Sequence, residues 1–179
     1  MKRIIEIIVS FVLILIFLPF MFTVGMIIKL SSRGPIFYTG FRLGKNAKPF
    51  RYFKFRSMYV GSEKVTSFGL FIRRWHIDEL PEFFLVLIGH MSLVGPRPLL
   101  RNSIKRDHKT YYASLKTKPG ITGPYQINRQ TEKTLEEIVC QNNWYAKHQN
   151  FWTDTKIILK TIPAIINQRA GTKKTVMIL

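Results

Sequence analysis

The sequence predicts an α/β protein: a small, mainly helical domain with one short β-hairpin and an N-terminal membrane anchor of the helix–break–helix type. An apolar run near the N-terminus is interrupted by proline, two aromatic-rich runs flank a glycine-containing turn, and isoleucines recur at helical spacing near the C-terminus. We expect the anchor at residues 1–33, a catalytic domain with interfacial amphipathic helices at 34–170, and a short basic tail at 171–179.

The composition indicates an anionic partner. The chain of 179 residues carries 28 Lys and Arg against 10 Asp and Glu, a formal net charge of +18. Such an excess suits nucleic acid, phosphorylated small molecules or an acidic membrane face. The single cysteine, Cys140, excludes an internal disulfide framework and fits a reducing cytoplasm.

The apolar run covers residues 7–28, contains no charged residue and exceeds the roughly 17 residues that a membrane-crossing helix needs. Pro19 lies within it and removes a helical hydrogen bond, which predicts a break. Lys and Arg flank the run on both sides, and the positive-inside rule assigns such residues to the cytoplasm. A hairpin that enters and leaves the cytoplasmic face satisfies both facts. A straight span and a cleaved secretory signal are the alternatives.

Residues 35–38 and 50–55 are rich in aromatic side chains and are separated by a Gly-Lys-Asn-Ala-Lys turn, which predicts a β-hairpin. Side chains alternate faces along a strand, so Lys54 and Arg56 are expected to point the same way. Two cations on one face suit a diphosphate. The alternative is a solvated strand edge whose charges prevent aggregation.

Asp78 and Glu79 precede Pro81 and a predicted helix at 82–88. Proline is tolerated in the first turn of a helix, and the positive N-terminal end attracts phosphates. Adjacent carboxylates project in different directions, so they suit two separate tasks: a nucleophile that forms an acyl-phosphate and a ligand for Mg²⁺. The alternative is structural, with Asp78 capping the helix and Glu79 complementing its dipole.

Two further segments suggest a phosphate site. In the run 95–98, Gly-Pro-Arg-Pro, each proline fixes its own φ, so Arg97 is held with little freedom and can grip phosphate oxygens. The loop 119–124, Pro-Gly-Ile-Thr-Gly-Pro, has glycines that allow close approach of backbone to a ligand. Both segments also fit ordinary turns.

The C-terminal part is predicted to be helical. Residues 132–147 have a helical pattern, and the isoleucines of 157–166 lie opposite Lys156 and Lys160. We expect this second helix to contact the headgroup layer, with the aromatics ahead of it as interface anchors. Packing on the domain core is the alternative.

The motifs "FRLGKNAKPFRYFKFRSM", "IDELPEFF", "GHMSLVGPRPLL" and "KPGITGPYQIN" follow one another along the chain. In this order they resemble the small monotopic phosphoglycosyl transferases of the bacterial sugar transferase family, from Lys2 to about Ile166. The sequence departs from the family pattern at three places. Leu18 replaces the serine of a Ser-Pro break, His90 replaces an aspartate, and the segment 124–130 lacks the usual Trp-Ala-Gln-Val-Asn-Gly-Arg.

The resemblance implies a reaction. A carboxylate attacks the β-phosphate of a UDP-sugar and expels UMP, and a polyprenyl (undecaprenyl) phosphate then takes the phosphosugar, with Mg²⁺ as cofactor. It implies Asp78 as the nucleophile and Glu79 as the metal ligand. The side chains implied to hold phosphates are Lys54, Arg56, Arg97 and Arg129. It also implies a re-entrant anchor on the cytoplasmic face of the bacterial inner membrane, against anionic inner-leaflet lipids.

Two other functions are compatible with parts of the sequence. One is a basic, membrane-anchored module that binds acidic lipids or nucleic acid, and the other is a catalytically silent relative. Neither requires the Asp78–Glu79 pair, so we expect a transferase without a nucleic-acid partner, and the sequence carries no signal for a particular sugar or oligomeric state. For the transferase, Asp78 is expected level with the lipid headgroups and open to both substrates.

Overall fold

The computed structural model describes residues 2–100, 113–128 and 134–167. The elements in chain order are α1 Lys2–Ser31, β1 Phe37–Leu43, β2 Pro49–Phe55, α2 Ser67–Arg74, α3 Glu82–Leu87, β3 Ser92–Val94, β4 Gly120–Thr122, α4 Pro124–Ile127, α5 Leu135–His148 and α6 Phe151–Asn167. Short 3₁₀ turns at Lys45–Ala47 and Ile77–Glu79 complete the described chain. The mainly helical fold with one short hairpin is confirmed.

Helix α1 is a single helix of 30 residues that includes Pro19. The sequence predicted an interruption here, but one proline deletes one hydrogen bond and bends a helix without having to end it. The Thr23 hydroxyl donates to the Pro19 carbonyl over 3.1 Å. Within the described residues, α1 is the one helix long and apolar enough to cross a membrane. The re-entrant path stays a prediction.

One face of α1 is buried along the whole length of the helix, from Glu6 to Ile28, and the opposite face exposes large apolar side chains. Hydrogen bonds from a charged side chain hold the N-terminal end of α1 against the domain. The Arg3 guanidinium donates to the Val86 and Leu87 carbonyls, over 2.6 and 2.9 Å, at the end of α3. The first turn of α1 therefore satisfies carbonyl groups that the end of α3 leaves without helical partners.

The predicted hairpin is confirmed and is longer than expected. Strands β1 and β2 pair antiparallel from Phe37 opposite Phe55 to Leu43 opposite Pro49. The turn between them has left-handed backbone at Asn46 and Ala47, with φ of 59° and 57°. Strand β2 contacts both α3 and the 3₁₀ turn Ile77–Glu79, so it lies directly against the segment that carries Asp78 and Glu79.

A second, two-stranded sheet joins the Gly-Pro-Arg-Pro turn to the glycine loop. Strands β3 and β4 are parallel, with Ser92 opposite Gly120. A Cβ on Gly120 would lie 2.0 Å from the Gly95 nitrogen, and one on Gly123 would lie 2.1 Å from the Gly95 oxygen. The glycines thus allow two backbones to meet, where the sequence suggested close approach to a ligand.

The C-terminal helices close the described part of the fold. Helix α5 begins with a capping box, in which the Thr134 hydroxyl accepts from the Glu137 N–H and the Glu137 carboxylate accepts from the Thr134 N–H. Helix α6 buries Ile157 against β3 and exposes large apolar side chains elsewhere: Phe151, Trp152, Leu159, Ile162 and Ile166. Packing on the core is thus confirmed for Ile157, and contact of the exposed apolar face with the headgroup layer stays a prediction.

Candidate active site

The acidic pair lies on the 3₁₀ turn Ile77–Glu79, between α2 and α3. His76 precedes the turn in left-handed backbone, with φ 54° and ψ 22°. A residue other than glycine adopts this region at a cost, and such residues cluster at functional sites. In the described chain the N-cap of α3 is Pro81, without a side-chain cap. Asp78 therefore does not cap the helix, and the structural alternative for it is not met.

Asp78 is buried, with 2% of its surface exposed. Its Oδ2 lies 3.0 Å from the Lys54 Nζ, whereas Oδ1 has no hydrogen-bond partner among the described residues. Burial raises the pKa of Asp78 above its ordinary value, and the Lys54 ammonium opposes that rise. A buried carboxylate oxygen without a partner is rare in proteins and is typical of groups with a catalytic or binding role.

The burial of Asp78 corrects one expectation. The sequence placed this carboxylate open at the headgroup level, but Lys54 reaches it from β2 and covers it. The contact joins residues far apart in sequence, so no local pattern indicates it. The surroundings are nevertheless polar rather than apolar, because an ammonium group lies directly against the carboxylate.

Glu79 is less buried, with 22% of its side chain exposed, and its Oε2 lies 3.3 Å from the His76 Nδ1. Burial alone would raise the pKa of Glu79, but the hydrogen bond and charge of His76, together with Lys54 and Arg97, lower it to about 2. Glu79 is therefore ionised at neutral pH. The sequence analysis gave His76 no role, although its position three residues before Glu79 allows contact on a helical turn.

Arg97 is held by two different contacts. Its guanidinium carbon lies 4.6 Å from the centroid of the Tyr125 ring, which is cation–π geometry. Its backbone N–H donates to the Asn142 Oδ1 over 3.0 Å. Since Arg97 also lowers the pKa of Glu79, the Gly-Pro-Arg-Pro turn and the acidic pair belong to one site. Lys54 thus lies against Asp78 and Arg97 acts electrostatically on Glu79, while their roles as phosphate ligands stay predictions.

Arg56 has a different position. It is 6% exposed, and its guanidinium donates to the carbonyls of Arg33 and Ser32, over 2.5 and 2.8 Å, where α1 ends. Arg56 therefore bonds carbonyls just beyond the end of α1 through its terminal nitrogens, its Nε has no hydrogen-bond partner among the described residues, and its contact with a diphosphate stays a prediction. Strand alternation could not indicate this, because the end of α1 is distant in sequence. Arg129, the fourth predicted phosphate ligand, lies outside the described residues.

A third buried carboxyl group belongs to Glu82, the first residue of α3. It is 3% exposed and accepts a hydrogen bond from the Tyr52 hydroxyl of β2. Burial raises the pKa of Glu82 well above its usual range, and the negative charge of Glu79 adds to the effect. Burial thus favours the neutral form of Glu82, whereas its neighbours favour the ionised form of Glu79. In the sequence it was counted only as the start of a helix.

The acidic pair fits a magnesium ion. Mg²⁺ takes oxygen ligands and is usually held by one or two carboxylates together with substrate phosphates and water. The ionised Glu79 supplies such an oxygen, and the unpartnered Oδ1 of Asp78 beside it stays free of the metal. Among the described residues no group of three or more His, Cys, Asp or Glu could hold a metal. A bound Mg²⁺ would therefore depend on the phosphates of a substrate for its other ligands.

Comparison with known proteins gives a family match over nearly the whole chain. The sequence model of the family described as "Bacterial sugar transferase" matches residues 1–168. This range includes every site residue discussed above.

Individual relatives agree with the family match. The chain is 36% identical to the UDP-glucose:undecaprenyl-phosphate glucose-1-phosphate transferase of Klebsiella pneumoniae, over 94% of this chain and 41% of that protein. It is 32% identical to the undecaprenyl-phosphate galactose phosphotransferase of Salmonella typhimurium, over 94% of the chain and 41% of the relative. A third relative, the UDP-N-acetylgalactosamine-undecaprenyl-phosphate N-acetylgalactosaminephosphotransferase of Aeromonas hydrophila, is 35% identical over 92% of this chain and 43% of its own length. The chain thus spans about two-fifths of the length of these curated relatives.

Proposed function

The chain belongs to the bacterial sugar transferase family, and from this premise we propose that it transfers a sugar 1-phosphate from a UDP-sugar to a polyprenyl phosphate, in particular undecaprenyl phosphate. The observation that carries the proposal is the Asp78 carboxylate, which is paired with Lys54 through one oxygen and has no partner on the other. The relatives whose names include such a transfer align with this chain over most of its length.

The proposed reaction has two displacements at one phosphorus atom. The Oδ1 of Asp78 attacks the β-phosphorus of the UDP-sugar, and the bond from that phosphorus to the bridging oxygen of UMP breaks. UMP leaves with the electron pair. An oxygen of the polyprenyl phosphate then attacks the same phosphorus, the bond to Asp78 breaks, and the products are a polyprenyl-diphosphate sugar and the regenerated carboxylate.

Lys54 has two tasks in this proposal. In the free protein it opposes the rise in the pKa of Asp78 that burial causes, since an ammonium 3.0 Å away favours the ionised form. With donor bound, the ammonium moves toward the diphosphate, because two anionic groups then compete for it. This movement uncovers Asp78, which is 2% exposed in the free protein. The side chain of Lys54 is itself 23% exposed and can reach a ligand from the surface.

Glu79 is the proposed holder of Mg²⁺, with His76 fixing its carboxylate. When bound, Mg²⁺ supplies positive charge to the diphosphate of the donor and to the leaving UMP. Arg97 is already oriented toward the same region by its tyrosine and asparagine contacts. The site therefore places positive charge around the phosphates and leaves one carboxylate oxygen for the attack.

The acceptor is a lipid, so the site has to lie beside a membrane. We propose that α1 forms a monotopic anchor on the cytoplasmic face of the inner membrane and that α6 adds interfacial contact. The contacts of α1 support an anchor on one face over a straight span, because both ends of the helix are tied to the same domain, through Arg3 at one end and Arg56 at the other. The net charge of +18 would favour anionic lipids of the inner leaflet.

A panel of UDP-sugars with a polyprenyl phosphate and Mg²⁺, read as UMP release, tests the function. We expect release with at least one donor and loss of at least about 1,000-fold in Asp78→Asn, the size of effect seen when a nucleophile is removed. Glu63→Gln, a carboxylate-to-amide change on the exposed 61–64 loop, is the matched control and should act like wild type. Binding of anionic lipid without UMP release from any donor would favour the binding module or the silent relative instead.

A further inference from the structure

We propose that Arg42, which no motif singled out as a site residue, forms with Arg97 a two-arginine clamp for a substrate phosphate. The inference rests on the proposed function and adds a ligand-binding residue from β1 to the site. Four observations carry it: the arrangement of the two side chains on tyrosine rings, the backbone contacts between their segments, the lack of counter-ions, and their mutual repulsion.

The two arginines are held in the same way. The guanidinium carbon of Arg42 lies 5.4 Å from the centroid of the Tyr52 ring, and that of Arg97 lies 4.6 Å from the centroid of Tyr125. Stacking on an aromatic face leaves the edge of the planar guanidinium, which carries the N–H donors, free for a ligand. Tyr52 is itself fixed, because its hydroxyl donates to the buried Glu82.

The backbone segments that carry the two arginines are in direct contact. The N–H of Leu43, next to Arg42, donates to the carbonyl of Leu99 over 3.0 Å, and Arg42 itself forms an isolated antiparallel bridge with Leu100. Leu99 directly follows the Gly-Pro-Arg-Pro turn. The positions of Arg42 and Arg97 are thus set by one short network of backbone hydrogen bonds, and a ligand that needs both guanidinium groups finds them already arranged.

Neither arginine has a counter-ion in the described part of the chain. The ion pairs there involve other cations, namely Lys2, Lys54 and His76. Burial lowers the pKa of Arg42, and the positive charge of Arg97 lowers it further, so the two groups are near enough to repel each other. Tyr52, Tyr38 and Glu82 act on the pKa of Arg42 in the opposite direction, but none of the ion pairs of the described residues joins Glu82 to either arginine. Arg42 and Arg97 are partly buried and repel each other, and a bound anion would stabilise this arrangement.

The chemistry of the ligand is that of a phosphate monoester or diphosphate, which matches the planar fork of arginine through paired N–H···O bonds. Within the proposed reaction this phosphate has two sources, the diphosphate of the UDP-sugar and the phosphate of the polyprenyl acceptor. The clamp lies beside Glu79, whose pKa Arg97 lowers, so both sources can reach it during the reaction. The two are distinguished by experiment.

The kinetic test varies donor and acceptor separately in Arg42→Gln, Arg42→Lys and the control Arg51→Gln, an exposed arginine of β2. For Arg42→Gln we expect KM to rise about 10- to 100-fold for one substrate, the range for loss of charge-assisted hydrogen bonds. Arg42→Lys should recover only part of the loss, since an ammonium lacks the fork. A rise for the UDP-sugar assigns the clamp to the donor, and a rise for the lipid assigns it to the acceptor. Unchanged KM for both substrates would overturn the proposal.

A binding test separates this inference from the proposed function. Calorimetric titration of the full chain with UDP, and separately with a short polyprenyl phosphate in detergent, needs no turnover. Arg42→Gln should weaken one of the two by the same 10- to 100-fold. Tyr125→Leu should weaken it too, whereas Tyr125→Phe keeps the ring face and should not. If UMP is never released but these losses occur, the clamp stands and the transferase proposal fails; equal affinities in wild type and Arg42→Gln overturn the clamp whatever the activity.

Discussion

At the scale of single residues, burial and neighbouring charges together determine the pKa of each carboxyl group in the site. Asp78 and Glu82 are both almost fully buried, yet their neighbours differ: Lys54 opposes the rise in the pKa of Asp78, whereas Glu79 adds to the rise in the pKa of Glu82. One carboxyl group is thereby favoured as a nucleophile and the other as a neutral hydrogen-bonding group. Separation of pKa values between neighbouring acids is a common basis for separate tasks.

Glu82→Gln tests the neutral state of Glu82. In the folded protein the pKa of Glu82 lies above its ordinary value of 4.5. At any pH between 4.5 and the folded-state pKa, the folded protein therefore binds more protons than the unfolded chain. The contribution to stability is complete below about pH 4.5 and is lost as the pH rises through the folded-state pKa. Gln cannot ionise and still bonds Tyr52. As the pH is raised from 6 to 9, the melting temperature of wild type should therefore fall relative to that of Glu82→Gln. A constant difference across this range would contradict the assignment.

His76 gives a second residue-scale prediction, because its backbone strain and its contact with Glu79 can be separated. His76→Gly fits the left-handed region without strain but has no donor, and His76→Asn tolerates this region and offers an amide N–H. Loss of a residue that orients a metal ligand typically costs 10- to 100-fold in metal affinity. We expect about this loss of Mg²⁺ affinity in His76→Gly, measured by calorimetry with UDP present, and a smaller loss in His76→Asn. Wild-type affinity in His76→Gly would show that only the backbone matters.

At the scale of elements, arginines at both ends of α1 join the apolar helix to the domain. Arg3 reaches the end of α3, and Arg56 reaches the end of α1. Each satisfies carbonyl groups that a helix leaves without partners. These contacts keep α1 against the domain, and they place its exposed apolar face in a fixed relation to the acidic pair.

Arg56→Met tests the revised role of Arg56. Leaving buried carbonyls without a donor costs about 1–3 kcal/mol each, so the melting temperature should fall by about 5 °C or more. The KM for the UDP-sugar should stay near the wild-type value in the folded protein. Lys54→Met is the matched comparison, with a higher KM and a smaller loss of stability. A raised KM in Arg56→Met without a change in melting temperature would restore Arg56 as a phosphate ligand.

The elements also show what local patterns can predict. The hairpin and the helix after Pro81 depend on neighbouring residues, and both were predicted from the sequence. The partners of Arg56, the cover that Lys54 forms over Asp78 and the burial of Glu82 join residues on different elements. No pattern within one segment determines them, because they depend on how the elements pack. Nor could the residues around Pro19 indicate that α1 continues through it, because contacts with the domain on both sides of Pro19 stabilise the helix.

At the scale of the whole molecule, the exposed apolar faces of α1 and α6 and the excess of positive charge are features that the proposed transfer to a membrane lipid requires. A lipid-linked acceptor explains why a site for water-soluble nucleotides would be built beside such faces. The binding-module alternative explains the charge but not the acidic pair, its neutral neighbour Glu82 or the Arg97 turn.

The path of α1 can be tested by accessibility. In a Cys140→Ser background, single cysteines at Lys2 and Ser31 mark the two ends of the helix. Because both ends contact the same domain, a membrane-impermeant maleimide should label both from the cytoplasmic face, and neither from the outside of intact cells stripped of their outer membrane. Labelling of the two positions from opposite faces would establish a straight span instead.

The central claim, that Asp78 carries the phosphosugar, is tested most directly by trapping. The protein is incubated without acceptor, with Mg²⁺ and a UDP-sugar that gives UMP release. It is then denatured and digested, and the mass of the peptide that contains Asp78 is measured by mass spectrometry. The account predicts one added sugar phosphate on Asp78, absent from Asp78→Asn and removed when polyprenyl phosphate is added before denaturation. Full acceptor-dependent turnover with an unmodified Asp78, or in Asp78→Asn, would contradict it.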